Sequence, residues 1–125
     1  LFRSGFVAWE GSFMESPVVQ RGYEINVPMQ MTVGKSETRS FFGIDRENVI
    51  LDTVKLAEDG SGDFILRLYE SKHADTTARV RLELPVRDAM LCNMMEEKEE
   101  TAVMEDNTLV LHFKPFEIKT VRLKV

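Results

Sequence analysis

The sequence predicts an all-β fold, an antiparallel β-sandwich, and three observations carry that expectation. Short runs rich in β-branched and aromatic residues are separated by clusters of Gly, Asp, Asn and Ser, the residues that turns require. No helical crossover is apparent between these runs, which favours antiparallel neighbours over a parallel sheet. In Ala78–Leu84, Val80, Leu82 and Leu84 alternate with Arg79, Arg81 and Glu83. Strand side chains reverse at every residue, so one face of this run meets a core and the other meets water.

Taken in order, Phe6-Val7-Ala8-Trp9 is a short apolar run ended by Glu10-Gly11-Ser12, and reads as an incomplete strand whose partner lies upstream. Tyr23, Ile25 and Val27 alternate with Glu24 and Asn26 until Pro28, which has no N–H for a ladder. Met29, Met31 and Val33 resume the alternation, and Lys35 to Ser40 is a polar loop. Phe41-Phe42-Gly43-Ile44 leads into the central stretch. There Val49–Leu56, Phe64–Glu70 and Ala78–Leu84 are joined by the Glu58–Asp63 turn and a small polar loop, Ser71 to Thr77. The expected arrangement is a three-stranded antiparallel meander.

Asp88 to Glu100 is composed of good helix formers, so propensity alone favours a helix. The strand-like surroundings favour a strand over Met90 to Met95, and Glu97 to Glu100 suits a solvated turn as well as a helix end. Glu105-Asp106-Asn107 is a turn, Leu109, Leu111 and Phe113 alternate with Val110 and His112, and Pro115 ends that strand. In the last run Phe116 and Ile118 keep one phase while Val121, Leu123 and Val125 keep the other, which predicts a bulge near Lys119-Thr120.

The 125 residues suit one sandwich domain over 1–125, with roughly the first 20 residues an incomplete strand from a preceding domain. The chain opens without Met and closes within a strand, so it reads as a fragment of a longer protein. A net charge of −5 argues against a nucleic-acid backbone as partner. No apolar run approaches the roughly 20 residues that span a bilayer, so no membrane partner is expected. Cys92 is the single cysteine, which excludes an internal disulfide and fits a cytoplasmic location.

No catalytic or metal-ligating residue is assigned in this chain. His73 and His112 stand far apart in sequence with no Cys-x-x-Cys, whereas zinc needs three or four converging ligands. Paired carboxylates cleave glycosides, yet in an acidic domain spacing alone selects no pair. Gly60-Ser61-Gly62 sits in a hairpin with no helix following, unlike a phosphate-cradling loop. Trp9, Phe41 and Phe42 are the residues that an exposed sugar-stacking strip would use, although core packing is the ordinary role of such rings. Arg67 and Tyr69 share a strand face with Ile65, which places Arg67 at a domain contact or against a carboxylate such as Glu70 or Asp52.

Five ordered phrases carry a resemblance. Gly22-Tyr23-Glu24-Ile25-Asn26-Val27-Pro28, Asn48–Lys55, Asp63-Phe64-Ile65-Leu66-Arg67-Leu68-Tyr69-Glu70, Asn93-Met94-Met95-Glu96 and Phe113–Leu123 together resemble the C-terminal β domain of the family-38 glycoside hydrolases, the retaining α-mannosidases. The resemblance implies a parent enzyme that hydrolyses terminal α-mannosyl linkages through a covalent intermediate on an aspartate, with a divalent metal, usually zinc. In that family the nucleophile and metal ligands lie in an N-terminal catalytic domain, and none of their motifs occurs here. The implied role is therefore structural support, with that N-terminal domain of the same polypeptide as partner and mannosides as the parent's substrates. Asn26, Arg67, Tyr69 and Glu70, all within the phrases, are the structural or interdomain candidates. The alternative from another class is a stand-alone carbohydrate-binding or interaction sandwich.

Overall fold

Alternating burial along the strands builds two antiparallel sheets with one core between them. The computed structural model describes residues 4–35 and 37–125. Two compact units are distinguished, Leu1–Thr38 and Arg39–Val125.

In the first unit the expected strand over Tyr23, Ile25 and Val27 is replaced by helix α1 (Val18–Asn26). Val18, Gly22 and Ile25 recur at helical spacing, and they share a pocket with Gly5, Phe6 and Val7. Gly5 lets Ile25 approach closely, since a Cβ there would lie 2.5 Å from Ile25 Cδ1 and push that methyl aside. Pro28 decides where the helix stops, since the residue before proline is pushed out of the α region, and Val27 adopts φ −112°, ψ 84°. Phe6–Trp9 forms no strand either. Met29, Met31 and Val33 are exposed and unpaired with any strand, so their alternation marks no sheet face. Ser36 of the expected polar loop lies outside the described residues, as do Leu1 to Arg3 at the chain start.

The second unit is the sandwich. Its strands are β1 (Phe42–Ile44), β2 (Val49–Leu56), β3 (Phe64–Glu70), β4 (Thr76–Leu82), β5 (Asp88–Cys92), β6 (Lys98–Thr101), β7 (Val103–Glu105), β8 (Thr108–Phe113) and β9 (Ile118–Lys124). One sheet has the order β1-β4-β8-β7 and the other β2-β3-β9-β5-β6. The core between them includes Leu66, Leu68, Val80, Leu82, Phe113 and Leu123, each almost fully buried. Turn chemistry shapes the β2–β3 hairpin, where Gly60 and Gly62 have φ +71° and +85°.

The central meander is corrected. β2 and β3 do pair, but β4 crosses to the other sheet and pairs with β1 and β8. Alternation fixes which face of a strand is apolar, not which strand lies beside it. β3 and β4 meet face to face across the core instead of edge to edge. The contested segment is a strand, β5, but it ends at Cys92, and Met94 and Met95 lie in the following turn. The acidic run after it contributes the edge strand β6, where a solvated turn or a helix end was expected.

The expected bulge at Lys119-Thr120 is absent, because β9 pairs with β3 in unbroken register from Ile118↔Tyr69 to Leu123↔Phe64. The change of phase has another origin: Phe116 is in a turn at φ 58°, and Ile118 points outward and is largely exposed. The register shifts in this sheet lie elsewhere, in β2 between Leu51 and Thr53 and in the β5–β6 pair between Leu91 and Cys92.

Candidate functional site

Two polar constructions stand out, and both involve β3. At its C-terminal end Glu70 is buried on the core side, opposite in direction to Arg67 and Tyr69. Its Oε1 accepts from Asn48 Nδ2 at 2.9 Å and the Lys72 N–H at 2.7 Å, and its Oε2 accepts from the Phe116 N–H at 3.0 Å. The Glu70 N–H donates to Glu117 O at 3.0 Å. One carboxylate thus ties the start of β2, the β3–β4 crossing and the β8–β9 turn. Burial alone raises the Glu70 pKa, but the donated bonds from Phe116, Asn48, Lys72 and Ala74 together outweigh it and hold the carboxyl below its ordinary value.

The second construction covers the outer face of the five-stranded sheet. Lys55 (β2), Arg67 (β3) and Arg122 (β9) share that face, since register pairs Lys55 with Ile65 and Ile65 with Arg122. Arg122 Nε donates to Asp63 Oδ2 at 2.7 Å, and its Nη2 donates to Asp59 Oδ2 at 2.7 Å and Ser61 Oγ at 2.9 Å. The Glu58–Asp63 turn therefore folds back over β9. Bonds from Ser61 and then Arg122 hold the Asp59 carboxyl down at about 2.

From the other side comes the β5–β6 loop. Asn93 organises it: its Oδ1 accepts from the Met95 and Glu97 N–H groups at 2.9 and 3.1 Å, and its Nδ2 donates to Glu97 Oε2 at 2.9 Å. Glu96, at φ 66°, reaches across to β2, where its carboxylate pairs with Lys55 Nζ at 2.6 Å and accepts from the Glu58 N–H at 2.9 Å. Arg67 Nη2 donates to Met94 O at 3.3 Å on the way. Glu96 is drawn below its ordinary pKa, first by Lys55 and then by the Glu58 N–H, with the Arg67 charge adding to both. Ile65 and Thr120 beneath the loop are buried, and Arg67 Nε is buried without an acceptor among the described residues.

Of the four candidates read from the sequence, Arg67 and Tyr69 lie on this outer face and Glu70 on the inner one. Arg67 meets Met94 O, and its side of β3 is the reverse of Glu70's. Asn26 ends α1 in the first unit and donates to Gly22 O at 2.8 Å. Trp9 also lies in the first unit and donates its indole N–H to Ser12 O, whereas Phe42 is half-buried against the sandwich core. Sequence reasoning missed Glu96, Asn48, Arg122 and the Asp59/Asp63 pair. Asn93 followed at two and four residues by its N–H donors is a recognisable side-chain turn signal, but Arg122 and Asp63 are 59 residues apart and no local pattern links them.

A divalent metal does not fit these residues. His73 stacks on Phe116 at 5.1 Å, His112 Nε2 lies 3.5 Å from Asp75, and no group of three or more His, Cys, Asp or Glu converges among the described residues. No helix among the described residues is long and apolar enough to cross a membrane.

Two antiparallel sheets packed on one core define the chain's second unit as a β-sandwich module. Residues 48–121 match the family described as the glycosyl hydrolases family 38 C-terminal beta sandwich domain, and the chain belongs to that family. It is 31% identical over 130 residues to human Alpha-mannosidase 2C1 and 30% identical over 130 residues to the mouse protein of that name. Alpha-mannosidase G of Dictyostelium discoideum is 30% identical over 122 residues, 90% of this chain and 11% of the relative. The chain is covered to 98% by the human and mouse relatives but spans only 12% of their length.

Proposed function

We propose that this chain is the C-terminal support sandwich of an α-mannosidase that hydrolyses terminal α-mannosyl linkages, with the chemistry carried by a preceding catalytic part. The single observation behind this reading is the extent of the likeness: 98% of this chain corresponds to 12% of Alpha-mannosidase 2C1. The character of the two polar constructions supports it. The Arg122 and Lys55 ions are held by neighbouring carboxylates, and Glu70 by backbone and amide donors, so these groups hold loops in place instead of standing ready for a substrate. The divalent metal, zinc in the family, belongs on this reading to the preceding part, as does the aspartate nucleophile. A cytoplasmic setting goes with it, in keeping with the free, buried Cys92 thiol.

The test is hydrolysis of an aryl α-mannoside by this chain alone and by the longer polypeptide that contains it. The expected result is turnover by the longer polypeptide and none by this chain. Turnover by the chain alone, or an inactive longer polypeptide that retains bound zinc, overturns the reading.

A further inference from the structure

The two outer faces of the sandwich differ in kind. On the four-stranded sheet Arg79, Arg81 and His112 are exposed, with Glu105 2.6 Å from Arg79 and Glu83 3.1 Å from Arg81. That surface is mainly ionic and solvated, with one small apolar pair, Val103 and Val110, beside Arg79. On the five-stranded sheet the cations are instead tied to the turn and the loop, and apolar groups share the face with them. Register places Ile50, Tyr69 and Ile118 in one row across β2, β3 and β9, with Ile118 61% exposed. The loop that crosses Arg67 carries Met94 and Met95, 61% and 80% exposed.

Exposed methionines are unremarkable on a slack loop, but this loop is fixed by Asn93, Glu97, Glu96 and Lys55, so the side chains are presented from an ordered backbone. A surface whose Lys55 and Arg122 charges are paired, with an aromatic ring, an aliphatic row and adaptable thioethers, bordered by the exposed Glu99 and Glu100, has the composition of an interface centre with a polar rim. Relatives about eight times the length of this chain supply what such a face needs, because most of their polypeptide lies outside the matching segment.

We propose that the outer face of the five-stranded sheet, centred on Met94, Met95, Tyr69 and Ile118, docks the preceding catalytic part of the same polypeptide through an apolar contact. The occupant presents an apolar surface, and the Arg79/His112 face of the other sheet stays in water. This rests on the α-mannosidase reading for the identity of the occupant, and the experiment separates the two.

In the longer polypeptide, dilute peroxide is applied and oxidation of each methionine is followed by mass spectrometry, native against denatured. Met94 and Met95 are expected to lose most of their reactivity in the native protein. A photoreactive phenylalanine analogue placed at 94 or 118 is expected to crosslink to residues outside this chain in the same polypeptide, and at 79 or 112 to give no such product. Free oxidation of both methionines, crosslinks only from 79 or 112, a crosslinked dimer, or a crosslink confined to residues 1–38 each overturns the proposal. Aryl α-mannoside hydrolysis on the same sample reads the enzymatic assignment separately. Protected methionines in an inactive, metal-loaded protein retain the docking face and remove the assignment, and reactive methionines in an active one do the reverse.

Discussion

Glu70 is the side chain on which three of the second unit's connections converge, those before β2, between β3 and β4, and between β8 and β9. Replacing it with Gln keeps the shape but removes the charge, and turns an amide N–H₂ toward one of the N–H donors it now accepts from. Loss of charge-assisted bonds to buried donors is expected to cost about 1.5–3 kcal/mol, read from urea unfolding of Glu70→Gln against wild type. The pH dependence has a definite sign. Its native pKa lies below the ordinary 4.5, so its contribution is complete above that value and is lost as pH falls through the lowered native one. Asp59 behaves alike over a window from 3.8 down to about 2. Wild type is therefore expected to lose stability on acidification more steeply than Glu70→Gln, and parallel acid-unfolding curves would sink this account. In the core, Leu82 is 1% exposed, and Leu82→Ala is expected to cost about 2–4 kcal/mol through the cavity it leaves. A loss under about 0.5 kcal/mol in the same assay places that side chain outside the packed core.

Among the elements, the β5–β6 loop is held far from its own strands by the Glu96–Lys55 pair, the Glu58 N–H and Arg67. Glu96 is tied to Lys55 on β2, and the loop lies over a face that includes Cys92, whose thiol burial pushes up in pKa. Glu96→Gln should loosen the loop at little cost in global stability. The expected signature is faster amide exchange at 93–97 and faster Cys92 labelling by a thiol reagent, with an unchanged unfolding midpoint. Unaltered exchange in the variant would mean that Asn93 and Arg67 suffice to hold the loop. Local signals of this type explain what the sequence revealed. The run at Leu109–Phe113 was legible because a half-buried strand writes its burial as alternation, and those at Val49–Leu56 and Phe64–Glu70 because apolar, β-branched and aromatic residues are bounded by turn residues. Helix α1 was misread because Tyr23, Ile25 and Val27 satisfy a period of two, while Val18, Gly22 and Ile25 also satisfy the helical one. The transfer of β4 to the second sheet was illegible, since a strand in either sheet would bury the same Ala78, Val80 and Leu82. The ion pairs on the outer face were hidden for a related reason, as they join residues brought together only by the finished sheet order. Glu70, Arg67 and Tyr69 were identified because they stand in one phrase, but their division between the two faces follows from register.

For the whole molecule, the danger of a two-sheet fold lies at its four edges, where unpaired N–H and C=O groups invite another strand. β6 is the outermost strand of the five-stranded sheet, and its four residues Lys98-Glu99-Glu100-Thr101 are all exposed. A sequence of that composition has poor strand propensity, and its place in the sheet comes from its pairing with β5, not from local preference. Its charges are then best understood as protection: a second copy approaching this edge would bring Glu99 and Glu100 against their like, in a chain already at −5. Replacing both by Val raises strand propensity and removes the repulsion while leaving the core untouched. The double variant Glu99→Val, Glu100→Val is expected to keep the wild-type circular dichroism spectrum but to elute earlier in size-exclusion chromatography, increasingly so with concentration. Added salt should narrow the difference by screening the wild-type edge. If the variant elutes with wild type at every concentration, the geometry of β6 and not its charge keeps the edge closed, and the acidic run loses its explanation.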